Sequence, residues 1–420
     1  MVAAVDADAL IVGAGCAGLS LAVHVVQTAR RAGKPCPRVV LLEPRAAYRR
    51  DRTWCGWRVG PEHPFAAAVT HRWTQWAVQD GRRRVQRGSE RHPYEHVAAD
   101  VFYAVAQADL ATVPQAELRL GVEVQALHDR GDHVLAETSA GPVRAALAFD
   151  SRPAEPVRHT GVEEVSLLQN FVGWEVDAGR AVFDPGVVEM MDFSADQSRG
   201  LHFMYVLPFS RRRALIETTY ITHAAISEAP CEADIRGYLE RRHGVGEPTV
   251  LFRERGQIPM STAPARPRSS PRVIHLGLRG GLAKPSTGYA FAAIQEFSAA
   301  LARQIVARPG APVEPPAARP ATAVAMDRVF LSYIDRHPER APGLFVDLFE
   351  KLPPELLCRF LTDHAGSLDN LRVMASTPLG EMTAEVFRSR ARWLRRSAVD
   401  SGPKGREDNS GPKGREDNST

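Results

Sequence analysis

The sequence predicts an α/β fold: a Rossmann-like dinucleotide-binding domain with an inserted, mostly antiparallel β-sheet domain and a C-terminal helical region. Three observations predict it. An apolar strand runs directly into a glycine-rich turn and a helix near the N-terminus, strand-like segments follow one another from 166 to 221, and apolar residues recur at helical spacing over 326–373. Parallel strands that alternate with helices, followed by a run of strands, are typical of this fold class.

The stretch DALIVGAGCAG (8–18) carries the dinucleotide-binding pattern. Gly13 permits a tight turn, Gly15 lets a pyrophosphate approach the backbone, and Gly18 lets the helix pack closely on the strand. A second strand, RVVLLEP (38–44), contains Glu43 near its end, where an acidic side chain can accept hydrogen bonds from ribose hydroxyls. The motif alone fits NAD(P) or FAD.

The next segment, RAAYRRDRTWCGW (45–57), combines arginines with Trp54 and Trp57. One interpretation is a solvated basic loop that buries two tryptophans. The other is that an arginine of this loop, Arg52, contacts the cofactor while the tryptophans line a neighbouring pocket.

The chain then returns to the cofactor. Strands are predicted at 71–79 and 82–87, a helix at 95–110, and short strands at 117–137 and 143–149. The last strand ends at Asp150, and a strand that ends in an acidic turn is typical of flavoproteins in which the chain comes back to FAD. This return favours FAD, and we expect Asp150 to contact it.

An inserted sheet is predicted from four strands, 166–177, 187–193, 201–208 and 213–221, followed by a helix at 231–243 and a strand at 249–258. Such a sheet between two cofactor segments is typical of a substrate-binding layer over a flavin. The segment 271–291 then combines a strand, a glycine-rich loop and a helix. We expect Gly281, Thr287 and Gly288 to hold the flavin.

Domain boundaries follow from these elements. The FAD-binding domain is predicted as the discontinuous set 1–70, 95–160 and 255–308, and the substrate-binding sheet domain as 71–94 with 161–254. A Pro/Ala-rich linker precedes a helical cap at 321–398. The tail, 399–420, repeats SGPKGREDN without apolar residues and is predicted to be disordered.

Composition limits the function classes. The net charge of +4 gives no argument for nucleic acid, and five scattered cysteines without CxxC spacing predict reduced thiols and no metal site. Acidic residues at the N-terminus predict no signal peptide, and no apolar run reaches spanning length. The basic, amphipathic segment 386–398 predicts peripheral contact with the inner face of a membrane, from the cytoplasm.

The order of several segments resembles the bacterial lycopene cyclases that form β-rings. After the N-terminal motif come DRTWCGW, VVEMMDF, FMYVLPFSRRRALIETTY (203–220), KPSTGY (284–289) and RFLTDHAGSLDNLRVM, over about residues 6–380. Leu278 and Arg279 follow Gly277, where many FAD hydroxylases have an Asp, and the cyclases also tend to lack that Asp. Thr218 follows Glu217, where the family often has an acidic residue, which leaves the hydrogen bonding of Glu217 open.

The resemblance implies an isomerisation without net redox change. A proton adds to the terminal double bond of a ψ end of lycopene, the neighbouring double bond closes a six-membered ring on the cation, and proton loss gives the β-ring of γ-carotene or β-carotene. It also implies an FAD-binding domain of the glutathione-reductase/hydroxylase type, FAD in its reduced form, NAD(P)H as the reductant, and other carotenoid enzymes as candidate partners.

This chemistry points to particular residues. An acid that protonates an alkene must keep its proton in a dry site, and Glu217 lies between the apolar Leu215-Ile216 and Thr218-Thr219 on a predicted strand. The alternative is an edge-strand glutamate facing solvent. Asp192 is the second candidate, to orient Glu217 or accept the departing proton, against a structural capping role. Aromatic faces for the cation are available from five side chains, each of which could instead be a core residue: Trp54, Trp57, Phe203, Tyr205 and Tyr289.

Two other functions stay open on the same fold. One is an FAD-dependent monooxygenase or a prenyl (geranylgeranyl) reductase, and the other is a flavin-binding protein without catalysis. The sequence around Gly277 and Glu217 weighs against the first, and the pocket aromatics weigh against the second.

Overall fold

The glycine motif forms a strand, a turn and a helix in the computed structural model, which describes residues 5–153, 165–378 and 380–388. Strand β1 (Ala7–Val12) is almost completely buried, as its apolar run requires. It leads into helix α1 (Cys16–Arg31), and strand β2 (Val39–Glu43) pairs with β1 in parallel. This is the arrangement that the sequence predicts.

The first sheet contains β1 and β2 and six further strands. These are β8 (Ala116–Leu120), β9 (Val124–Asp129), β10 (Val134–Thr138), β11 (Val143–Asp150), β17 (Arg268–Ser270) and β18 (Val273–His275). The strand order is β17-β18-β11-β1-β2-β8, and β9 and β10 form an antiparallel extension on β11. β11 pairs with β1 in parallel, so the chain returns beside the glycine motif as predicted.

The inserted sheet has seven strands in the order β16-β12-β15-β14-β13-β5-β6. All its pairings are antiparallel except that of β13 with β5. The predicted strands are present: β5 (Gln75–Gln79), β6 (Arg84–Gly88), β12 (Ser166–Asp177), β13 (Val187–Asp192), β14 (Leu201–Pro208), β15 (Arg213–Thr222) and β16 (Thr249–Ser261). Helix α3 (Glu228–His243) packs on one face of this sheet.

A third, small sheet corrects two predictions. It has the order β3-β7-β4, with β3 (Thr53–Trp57), β4 (Val69–Trp73) and β7 (Tyr94–Ala98). The predicted strand 71–79 is therefore divided between two sheets. The predicted helix 95–110 begins only at Ala99, as α2 (Ala99–Leu110), because the preceding segment is a fully buried central strand paired on both sides.

The C-terminal region is helical, as predicted. Helix α4 (Phe291–Ala307) packs along α1, and α5 (Ala321–Arg336), α6 (Ala341–Lys351), α7 (Pro354–Leu361) and α8 (Ser367–Ala375) follow. Residues 380–388 are also helical. α5, α6 and α7 bury their apolar faces against the inserted sheet, in one core with Trp57 and Trp76. We call α5–α7 the helical cap.

Three predicted domain boundaries fall inside strands. β16 continues to Ser261, beyond the boundary at 254/255, β4 crosses the boundary at 70/71, and β7 crosses the boundary at 94/95. Most of the predicted amphipathic segment 386–398 and the whole tail, 399–420, lie outside the described residues. No helix in the described part of the chain is both long and apolar enough to cross a membrane.

Candidate functional site

A cavity of about 760 Å³ lies where the carboxyl ends of β1 and β2 meet the inserted sheet and the helical cap. Ligands of open α/β sheets bind at this edge of the parallel strands. Gly13, Gly15 and Glu43 line one part of the cavity, and Glu217 lines another.

The glycine motif presents free backbone to this cavity. Gly13 has a φ of +85°, which favours glycine, and an added Cβ at Gly18 would stand 1.9 Å from the carbonyl oxygen of Gly13. A Cβ at Gly15 would meet nothing within 4 Å. Gly15 is also the N-cap residue of α1, and no side chain forms a capping hydrogen bond there. The first N–H groups of the helix can therefore bind a phosphate. These features fit the pyrophosphate of a dinucleotide.

Glu43 is held at the cavity wall as a carboxylate. It accepts hydrogen bonds from the backbone N–H of Ala14 (2.8 Å) and from Nε of Arg45 (2.8 Å). Burial raises its pKa, but these donors outweigh burial and bring the pKa below its usual range. An ionised acceptor at the end of β2 is what a ribose hydroxyl requires.

The loops opposite the glycine motif supply further cavity residues. Arg52, Thr287 and Gly288 all line the cavity. The Nε of Arg52 is 3.9 Å from Asp51, too long for a hydrogen bond. Gly288 has a φ of +76°, and a Cβ there would stand 2.8 Å from Oε1 of Gln169, so the loop runs close to the inserted sheet.

The structure places Asp150 and Gly281 outside the cavity wall, contrary to the prediction. The buried Asp150 carboxylate pairs with Arg152 (2.9 Å) and Arg279 (3.4 Å). It orders the end of β11, and its neighbour Ser151 lines the cavity instead. A Cβ at Gly281 would stand 2.3 Å from that of Ala265, so this glycine is required by packing. Gly277 and Leu278 take its place in the wall.

Glu217 belongs to a row of residues across four strands. Antiparallel pairing sets it opposite Tyr205 of β14 on one side and Gly173 of β12 on the other, and Gly173 in turn faces Glu254 of β16. Directly opposed residues share one face of a sheet. Tyr205, Glu217 and Glu254 all line the cavity, so the row faces it.

The surroundings of Glu217 favour its protonated form. Burial and the nearby charge of Glu254 raise its pKa to about 8, and a hydrogen bond of 2.9 Å from the Thr219 hydroxyl opposes the rise. At neutral pH the carboxyl therefore holds its proton inside an apolar cavity. The alternative of a solvent-facing glutamate is not what the structure shows.

Glu254 is a cavity carboxyl that the sequence prediction missed. It is 6% exposed, and its Oε1 has no hydrogen-bond partner among the described residues. Burial raises the pKa of Glu254 to about 7, although a polar contact with Thr53 and the positive charge of Arg50 each lower it. The signal was the alternation in β16, where Phe252, Ile258 and Met260 share a face with Glu254.

Asp192 lies on the opposite face of the inserted sheet. Asp192 pairs with Met204, and Met204 pairs with Thr218. Thr218 is the neighbour of Glu217 in β15, so its side chain points to the other face of the sheet. Its carboxylate is fully buried and accepts hydrogen bonds from the backbone N–H of Ser194 (2.9 Å) and the Tyr238 hydroxyl (3.0 Å). The structure thus gives Asp192 a capping role on the α3 side, not contact with Glu217.

The five predicted aromatic side chains all line the cavity: Trp54, Trp57, Phe203, Tyr205 and Tyr289. The hydroxyl of Tyr94 bridges those of Tyr205 (2.8 Å) and Tyr289 (3.1 Å), and the ring centroid of Trp57 lies 4.8 Å from that of Tyr94. Burial raises the pKa of these three phenols, so they stay neutral. Tyr94 was missed because the sequence analysis predicted a helix from residue 95 and no strand at 94–98.

The helical cap closes the cavity with apolar side chains. They come from α5, α6 and α7: Phe330, Phe345, Leu348, Phe349, Leu357, Phe360 and Leu361. A ligand that reaches this end meets hydrocarbon and aromatic surface, which suits a long apolar molecule.

A buried ion cluster joins the KPSTGY loop to the cap. Lys284 Nζ lies 3.1 Å from Asp327 and 2.7 Å from Asp363, and Arg319 contacts the same two carboxylates. The Ser286 hydroxyl also donates to Asp327, at 2.7 Å. Two cations thus balance two anions, which is the condition under which buried charges are tolerated.

Comparisons with known proteins agree with this geometry. The chain is 29% identical over 390 residues to a lycopene beta-cyclase from Paracoccus sp. (strain N81106 / MBIC 01143) and 25% identical over 393 residues to one from Pantoea ananas. Each alignment covers 88% of this chain and 94% of the relative.

Among solved structures, the fold is similar to a geranylgeranyl bacteriochlorophyll reductase-like protein from Thermoplasma acidophilum. The TM-score is 0.57 at 12% identity, with 90% of this chain and 98% of that chain covered. A p-nitrophenol 4-monooxygenase from Pseudomonas putida gives 0.52 at 17% identity, with 92% and 98% covered. These likenesses show the predicted fold.

The family model described as "Lycopene cyclase protein" matches residues 8–386. That match spans both sheets, the cavity and the helical cap, and it agrees with the resemblance seen in the 203–220 and 284–289 segments. The chain belongs to the lycopene cyclase family.

Proposed function

We propose that the chain is a lycopene β-cyclase that converts the ψ ends of lycopene to β-rings, with Glu217 as the acid. The observation that carries this proposal is a buried carboxyl that keeps its proton in a cavity lined by neutral aromatic side chains. Protonation of an unactivated alkene needs such an acid, and the resulting cation needs π-faces and the exclusion of water.

The residues support the reaction in order. Glu217 protonates the terminal double bond, which leaves a tertiary cation, and the neighbouring double bond closes the ring. Trp57, Tyr94, Tyr205 and Tyr289 surround the cation with electron-rich faces. A proton then leaves the ring, so the product is an isomer of the substrate.

The cofactor part of the proposal is FAD held between Gly15, Glu43 and the 277–288 loop, with NAD(P)H as its reductant. When bound in its reduced form, FAD would supply electron density and negative charge that stabilise a cation, without being consumed. The open backbone at Gly15 and the ionised Glu43 are the features that fit this group.

Expression in a lycopene-producing bacterium, followed by pigment chromatography, tests the function and counts the rings formed. We expect monocyclic or bicyclic β-ring products in place of lycopene. Purified protein that consumed NAD(P)H in stoichiometric step with a prenyl or aromatic substrate would indicate a reductase or monooxygenase instead.

We also propose that α8 touches the membrane from which lycopene is taken. Leu368, Leu371 and Met374 recur every three residues along α8 and are 74%, 57% and 42% exposed. Arg372 lies on the same helix, and α8 packs against α7, a helix of the cavity wall. An exposed apolar face beside basic residues is typical of interfacial helices.

Replacing Leu368 and Leu371 together with aspartate should reduce binding to vesicles that contain anionic lipid, as measured by co-sedimentation. The control is Leu251→Asp, which puts an aspartate in place of an exposed leucine of β16. Equal sedimentation of the α8 variant and the unchanged protein would rule out this contact.

A further inference from the structure

Glu217 and Glu254 form a carboxyl pair separated only by a glycine. Their strands both pair with β12, and the residue of β12 between them is Gly173. Two strand spacings set their Cα atoms roughly 10 Å apart, a distance that two glutamate side chains can close.

The glycine makes this approach possible. The position that a Cβ of Gly173 would occupy is 3.1 Å from Cγ of Glu254 and 3.5 Å from its Oε1. The Glu254 side chain therefore lies over Gly173, in the direction of Glu217. Any side chain at Gly173 would take the space that the Glu254 side chain occupies over β12.

The proposed reaction needs two proton transfers at different carbons. One proton is added to the end of the chain and another is removed from the ring that has just closed. A single carboxyl would have to serve both positions around one cation. Two neighbouring carboxyls that hold one proton can divide the work, as in other enzymes with paired acids.

We propose that Glu254 is a second catalytic carboxyl, the base that removes the ring proton and passes it back to Glu217 across Gly173. This inference rests on the proposed cyclase function. It uses a carboxyl that lines the cavity and whose Oε1 has no hydrogen-bond partner in the described part of the chain.

The steps balance. The O–H bond of Glu217 breaks as its proton forms a C–H bond at the inner carbon of the terminal double bond, which leaves the tertiary cation on the outer carbon. The electron pair of the second double bond then forms the ring C–C bond to that carbon. A C–H bond next to the ring cation breaks, its electron pair becomes the ring double bond, and the proton goes to the Glu254 carboxylate. Transfer of that proton to Glu217 restores the starting state, and no electrons enter or leave.

The electrostatics of the pair agree with one shared proton. Burial raises the pKa of both carboxyls, and the charge of Glu254 raises that of Glu217 further. The other groups around the pair are Thr53, Arg50 and Arg52 beside Glu254, Thr219 beside Glu217, and the neutral Cys55, Tyr205 and Tyr289. The two arginines favour the ionised form of Glu254. No cation in the described part of the chain lowers the pKa of Glu217 in the same way.

Glu254→Gln tests the assignment in purified, flavin-loaded protein with lycopene in vesicles. We expect cyclisation to fall by about a hundredfold or more. We also expect the alkaline limb of the remaining activity to move to lower pH, because loss of the Glu254 charge lowers the pKa of Glu217. Glu247→Gln, at an exposed position before β16, is the control and should leave both unchanged.

Gly173→Ala gives a second test that keeps both carboxyls. It should lower the rate by about tenfold or more, with flavin content retained, because the added methyl displaces Glu254. If Glu254→Gln cyclises at the unchanged rate, or loses rate without any shift of the pH limb, Glu254 has only a structural role. An unchanged protein that makes no rings would instead refute the proposed function.

Discussion

Lycopene is expected to persist in cells that carry Glu217→Gln, while the purified variant still binds flavin. The amide fills the same volume but has no acidic proton to give to the alkene, so the rate should fall by about 10²–10⁴-fold. Pigment chromatography of lycopene-producing cells measures the loss, and flavin absorbance of the purified protein measures cofactor content.

Glu217→Asp is the matched variant, because it keeps the acid and shortens its reach by one methylene. We expect it to retain part of the activity. In the unchanged protein the rate should fall as pH rises through about 8, where Glu217 loses its proton. β-Ring formation at the normal rate by Glu217→Gln would show that another group supplies the proton.

Gly15→Val is expected to give a folded protein that purifies without flavin. A Cβ at Gly15 meets nothing within 4 Å, so the fold has room for the side chain. The same side chain would occupy the space through which a pyrophosphate reaches the N-terminus of α1. Absorbance near the flavin maximum, with Tm measured by circular dichroism, separates the two effects.

Gly18→Ala is the contrasting change in the same motif. Its Cβ would stand 1.9 Å from the Gly13 carbonyl oxygen, so helix and strand must move apart and Tm should fall sharply. If the Gly15→Val protein purifies with its full flavin content, the pyrophosphate does not bind at this turn.

The regular elements were predictable where one pattern governed a long segment. β12 and β14 match their predicted ranges to the residue, because alternation over eight to twelve residues is a strong signal. The segment 94–98 was not, because its helical spacing of apolar residues competes with a strand position between β3 and β4. Pairing with distant strands decided its conformation, and local sequence does not contain that information.

The site shows the same division. Gly13, Gly15, Glu43 and Glu217 could be placed from a motif and a family pattern. Asp192 could not, because which face of a sheet a residue takes depends on register, and its register sets it beside Tyr238. Glu254 is far from every motif used, and it joins the cavity only through the pairing of β16 with β12.

The buried ion cluster connects the C-terminal helices to the KPSTGY loop. Lys284 comes from the KPSTGY loop, and Arg319 precedes α5. Asp327 lies in α5, and Asp363 follows the end of α7. Loss of Asp327 and Asp363 with the helices kept in place would leave Lys284 and Arg319 buried without their anions, a cost of several kcal/mol. Chimeras that exchange these helices between relatives must therefore carry Lys284, Arg319, Asp327 and Asp363 as one set.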